Sequence, residues 1–84
     1  MKTTLLPFVL PPLGAQPGGK ATVLRWIFQP GSAVAKDSEI IEVEAEKCAF
    51  GVESPVSGVL ESLLKVPGDE VMEGESLGMI RVGS

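Results

Sequence analysis

Residues Pro30–Val43 read PGSAVAKDSEIIEV, and residues Pro67–Ile80 read PGDEVMEGESLGMI. At a constant offset of 37 residues Pro30 falls on Pro67, Gly31 on Gly68, Val34 on Val71, Asp37 on Gly74, Ile40 on Leu77 and Val43 on Ile80. Upstream, Ala21-Thr22-Val23 falls on Gly58-Val59-Leu60. The shared pattern P-G-x-x-V-x-x-[DG]-x-x-[IL]-x-x-[VI] predicts a turn, a short strand, a second turn and a longer strand. Neither half can bury its own apolar face, so two copies must pack together around one core.

The segments around the repeat agree with an all-β chain. PFVL (Pro7–Leu10) reads as a first strand with PPLG as its exit, and ATVLRWIF (Ala21–Phe28) as a second, stopped by Pro30-Gly31. SEIIEVEA (Ser38–Ala45) places Ile41, Val43 and Ala45 on one face and Glu42 and Glu44 on the other. CAFGVES (Cys48–Ser54) places Cys48, Phe50 and Val52 together, and Pro55 ends it. GVLESLLKV (Gly58–Val66) and ESLGMIRV (Glu75–Val82) complete the set. EVEAEK consists of helix formers, but the repeat assigns it to a strand and its turn. Short strands with frequent turns predict a sandwich or barrel, with Trp26 and the apolar strand residues in its core.

Composition narrows the function. Eighty-four residues support one domain spanning 1–84. A single cysteine forms no internal disulfide, which fits a reducing compartment, and with no histidine it leaves no structural zinc site and no histidine-based triad. A net charge of −4, 5% aromatics and no tyrosine argue against nucleic acid and for basic protein partners. The N-terminal apolar stretch is interrupted by Pro7, Pro11 and Pro12 and lacks a cleavage motif. It is also too short to span a bilayer, so neither a targeting signal nor a membrane role is read there. GAQPGGKA (Gly14–Ala21) nearly spells a phosphate loop, but Ala21 stands where Ser or Thr would ligand magnesium, and a strand follows where a helix is required. The glutamates alternate outward without a cleft to shift them, so no catalytic carboxylate pair is assigned.

Between two alternating runs sits Lys47. A lone turn lysine ordinarily reads as a solvated charge. The repeat gives this one a special place, because its image is Ser84, the last residue. The lysine tip and the chain end are equivalent places, which puts Lys47 at the end of the domain opposite that terminus.

From FVLPPLG (Phe8–Gly14) through ATVLRW and EIIEVEAEKCAFGVESPVSGVL (Glu39–Leu60) to LGMIRV, the chain resembles the lipoyl domain of 2-oxo acid dehydrogenase acyltransferases, within the biotinyl/lipoyl-attachment family. The modified lysine of that family sits in E-T-D-K-A; here the stretch is Glu44-Ala45-Glu46-Lys47-Cys48, so Lys47 falls on the modified position. The resemblance implies a barrel-sandwich hybrid, a flattened barrel of two antiparallel four-stranded sheets related by a pseudo-two-fold axis. It implies lipoic acid in amide linkage on Lys47, attached by a lipoate ligase or lipoyl transferase. The arm would serve a thiamine-dependent decarboxylase, an acyltransferase core and dihydrolipoamide dehydrogenase. On this reading the domain is a non-catalytic carrier, the N-terminal piece of a longer acyltransferase, working in the bacterial cytoplasm or, in a eukaryote, the mitochondrial matrix. The choice among 2-oxo acids, or acetoin, would lie in other domains.

Three rivals share features. A biotin carrier carries methionine on both sides of its lysine, where this chain has Glu46 and Cys48; a glycine-cleavage carrier is longer; an unmodified lipoyl-like hairpin domain would leave Lys47 a surface charge. Three departures from the family pattern stand out. Glu46 replaces aspartate. Cys48 replaces a small apolar residue and, by alternation with Phe50 and Val52, is expected to be buried; exchange with a dithiolane would require it to point outward. Gly51 replaces a charged residue and marks a bulge or a close backbone approach. Glu42, Glu44, Glu46 and Glu53 are expected to surround Lys47 with negative charge, as a recognition face or simply a solvated one.

Overall fold

A computed structural model describes residues 3–12 and 19–83, which form eight strands and no helix. In chain order these are β1 (Thr3–Val9), β2 (Lys20–Trp26), β3 (Ala33–Val34), β4 (Glu39–Ala45), β5 (Cys48–Glu53), β6 (Gly58–Leu63), β7 (Glu70–Met72) and β8 (Ser76–Gly83). They build two four-stranded antiparallel sheets, ordered β1-β8-β6-β3 and β5-β4-β2-β7. Leu13 and Gly14 of the expected exit, and positions 14–18 of the near phosphate loop, lie outside the described residues; Lys20 and Ala21 of that loop stand in a strand, as expected.

The repeat is visible strand by strand. The 37-residue offset carries β2 onto β6, β3 onto β7 and β4 onto β8, so one sheet order becomes the other with β5 and β1 as equivalent edges. The backbone repeats too. Gly31 and Gly68 adopt φ of 90° and 95°, and Asp37 and Gly74 adopt 73° and 83°. Register shifts occur between Val23 and Arg25 and between Leu60 and Ser62, again equivalent positions. The paired residues Ile40 and Leu77, Val43 and Ile80, Val34 and Val71, and Val23 and Leu60 are all buried in one core. Burying such side chains is the main term holding the sheets together, at about 25 cal/mol per Å² of apolar surface.

β1 begins four residues earlier than PFVL predicts. Pro7 does not stop it because β1 is an edge strand, where a missing N–H removes no second ladder. The expected strands also end early, β2 at Trp26 and β6 at Leu63. Trp26 is half-buried and ties the two sheets together. Its Nε1 donates to the Lys65 carbonyl at 2.7 Å, and its ring lies 6.3 Å from that of Phe8. Lys65 in turn donates to Glu75 at 3.1 Å. The Met72 N–H on Glu75, and then Lys65, hold the Glu75 carboxyl below the usual carboxylate range.

The hairpin β4–β5 closes at the pair Ala45 and Cys48, while its image, the ladder of β8 with β1, ends open at Gly83 and Thr3. The long dimension is 42 Å, whereas a strand of eight residues spans only about 27 Å. Under the repeat the closed hairpin tip with Lys47 and the open ladder end at Thr3 and Gly83 are equivalent places, and the molecule is longer than either ladder alone.

Candidate functional site

The tip between β4 and β5 is a two-residue loop, Glu46-Lys47, with φ of 53° and 65°. Positive φ at both central residues is the requirement of a type I′ hairpin, whose twist matches the flanking strands. Asn-Gly is the usual occupant of that turn, and a non-glycine residue in the left-handed region costs on the order of 1 kcal/mol. The β4–β5 ladder, paired from Glu39 with Glu53 to Ala45 with Cys48, imposes this conformation on the tip. A rigid ladder thus presents a flexible amine at a fixed point. Replacing Glu46-Lys47 by Asn-Gly is expected to stabilise the chain by about 1–2 kcal/mol. Urea unfolding checks this; an unchanged midpoint would show that the ladder leaves no strain in the turn.

Lys47 is exposed. The three ion pairs among the described residues are Arg25 with Glu42 at 3.0 Å, Lys65 with Glu75 at 3.1 Å and Arg81 with Glu61 at 2.9 Å, and Lys47 is in none of them. Its Nζ is a free amine facing solvent. The expected ring of carboxylates is narrower than the four glutamates suggest. Glu44 and Glu46 are exposed beside the tip, but Glu42 is paired with Arg25, and Glu53 lies at the far end of β5 opposite Glu39.

Cys48 corrects an expectation. It is exposed, not buried. Its face of β5 passes from exposed Cys48 to half-buried Phe50 to buried Val52. Alternation fixed the face, but at the tip the strand runs beyond the cover of the other sheet. Gly51 shows neither the bulge nor the backbone approach expected of it. The ladder's register shift lies between Glu39 and Ile41, and the close neighbour of Gly51 is a side chain. A Cβ there would lie 2.5 Å from Cδ of Glu39, so the Glu39 side chain folds over the glycine.

What the sequence did not reveal is a groove of about 400 Å³ between the edge strands β1 and β5, lined mainly by Phe8, Val9, Pro11, Phe50, Val52 and Pro55. Its walls come from segments far apart in the chain, so no local pattern announces it. Among the described residues no group of three or more His, Cys, Asp or Glu side chains could hold a metal ion, and no helix is long and apolar enough to cross a membrane.

This geometry has known counterparts. Residues 9–80 match the Biotin_lipoyl family, described as "Biotin-requiring enzyme". The chain is 41% identical over 61 residues, 73% of its length, to the dihydrolipoyllysine-residue succinyltransferase component of the 2-oxoglutarate dehydrogenase complex of Cupriavidus necator. It is 35% identical over 75 residues, 89% of its length, to the same component of Rickettsia bellii. It spans only 15% and 18% of those two relatives. The solution structure of the lipoyl domain of the 2-oxoglutarate dehydrogenase complex from Azotobacter vinelandii is similar with a TM-score of 0.72 and 30% identity, covering 94% of this chain and all of that one. The duplicated half-barrels, the lysine-tipped hairpin and these matches agree: the chain belongs to the biotin- and lipoyl-attachment family, as a lipoyl domain.

Proposed function

We propose that Lys47 is acylated by lipoic acid, and that the domain is the mobile carrier of a dihydrolipoyl acyltransferase, without catalytic activity of its own. The observation that carries this is an exposed, unpaired amine at the tip of a rigid two-residue hairpin. The residues fit the group. Lys47 offers a four-carbon stem with no counter-charge to displace, and amide formation converts a cation into a neutral arm. When bound, lipoate supplies a dithiolane that carries an acyl group and two reducing equivalents. The chain's own work is to hold the attachment point still, expose it from every side, and present Glu44 and Glu46 to a basic partner surface.

The relatives support a longer parent protein, since this chain spans less than a fifth of either. They favour 2-oxoglutarate over other 2-oxo acids or acetoin as the parent substrate. The partners are then a lipoate ligase or lipoyl transferase, a thiamine-dependent decarboxylase, the acyltransferase core and dihydrolipoamide dehydrogenase. The bacterial relatives favour a cytoplasmic setting.

The test is enzymatic modification followed by intact mass. A lipoate ligase with lipoate and ATP is expected to add one lipoyl increment to the chain, and a biotin ligase with biotin none. A biotin increment, or no lipoyl increment under conditions that modify an established acceptor domain, would overturn the reading.

A further inference from the structure

The groove between β1 and β5 begins on the same strand that carries the Lys47 tip. Phe50, in its wall, is three residues from Lys47, or about 10 Å along an extended strand, and Val52 is about 17 Å away. A lipoyl-lysine arm runs through roughly eleven bonds from Cα to the dithiolane ring, an extended reach of about 13 Å. Folded back along β5, an arm of that length is long enough to reach the Phe50 end of the groove. We propose that this groove is a resting site for the oxidised dithiolane of the arm on Lys47. The inference rests on the assignment of lipoate to Lys47.

Three properties of the groove match this occupant. Its walls are apolar, supplied by Phe8, Val9, Pro11, Phe50, Val52 and Pro55, and the dithiolane with its methylene stem is apolar too. Its volume, about 400 Å³, lies within the range of small-molecule sites. Glu53 lines it without an ion pair among the described residues, so the groove favours a neutral guest over an anion. An amide-linked arm is neutral; free lipoate is not. The groove also lies between two edge strands, over the core residues Phe8 and Val52, so a guest would cover the core at its edge. The arm would exchange between the groove, where the ring is shielded, and solvent, where partners meet it.

The test compares the unmodified chain with the chain lipoylated on Lys47, verified by intact mass. Two-dimensional NMR is expected to show shift changes beyond the hairpin, at Phe8 and Val9 on β1 and at Val52, with contacts between arm protons and the Phe50 ring. A second readout is the rate at which a water-soluble phosphine reduces the dithiolane. Val9 is 39% exposed at a strand end, so Val9→Glu keeps the fold while placing a charge in the groove. Reduction is expected to be severalfold faster in lipoylated Val9→Glu than in the lipoylated parent. Shift changes confined to residues flanking Lys47, with equal reduction rates, overturn the proposal and leave the groove to a partner. Absence of the lipoyl increment itself removes the assignment on which it rests, and the proposal with it.

Discussion

Lys47→Arg is expected to abolish lipoyl incorporation completely while shifting stability by no more than about 0.5 kcal/mol. Amide formation requires a neutral amine as nucleophile. A guanidinium stays protonated at any working pH and delocalises its charge, so arginine keeps the cation and the length but not the chemistry. The turn also tolerates the exchange. Both residues are unbranched at Cβ, both must hold the left-handed conformation seen at φ 65°, and neither loses an ion pair, because Lys47 makes none. Intact mass after treatment with a lipoate ligase, alongside urea unfolding, separates the two effects. An increment on the arginine variant would move the attachment to another lysine, such as Lys20 in β2, Lys36 in the turn before β4, or Lys65. A loss of several kcal/mol would show instead that the tip is structural.

Gly78→Ala should cost about 3 kcal/mol, although it adds a single methyl group. Gly78 is buried in β8, and a Cβ there would lie 2.5 Å from the Ser62 carbonyl oxygen and 3.2 Å from Cη2 of Trp26. The first neighbour is backbone in β6, beside that strand's register shift, and cannot rotate away. The second is a ring fixed by its own hydrogen bond to Lys65. The equivalent of Gly78 in the other half is Ile41, which is fully buried. The halves differ here because Trp26 fills the space that a side chain at 78 would take. A domain of this size holds only about 4–12 kcal/mol in total, so the loss should appear as a large fall in the urea midpoint together with altered Trp26 fluorescence. Gly83→Ala is the control, since nothing lies within 4 Å of its added Cβ; it should be nearly neutral. Equal midpoints for the two variants would mean that β6 yields where the geometry says it cannot.

By itself the sequence determined the duplicated half-barrel, the strand that each repeat contributes and the placement of Lys47 on a turn between two strands. Each follows from a local regularity, either period-two hydrophobicity or a turn signature repeated 37 residues on. These regularities act through neighbours in the chain, so they can be read without coordinates. They determined only part of the core: Ile40 and Ile41 are adjacent and both buried, and Leu24 and Val66 are exposed. The fate of Cys48 could not be read that way. Alternation names a face, but burial at a strand end depends on whether the opposite sheet reaches it, and at the tip it does not. The left-handed turn at Glu46-Lys47 was hidden for a related reason. Neither residue prefers that backbone, and the ladder beneath imposes it. The narrowing of the acidic face through the Arg25–Glu42 pair, the lock between Gly78 and Trp26, and the groove between β1 and β5 likewise needed the tertiary structure. All three join residues far apart in the chain, and only the closing of the two sheets on each other sets the distances between them.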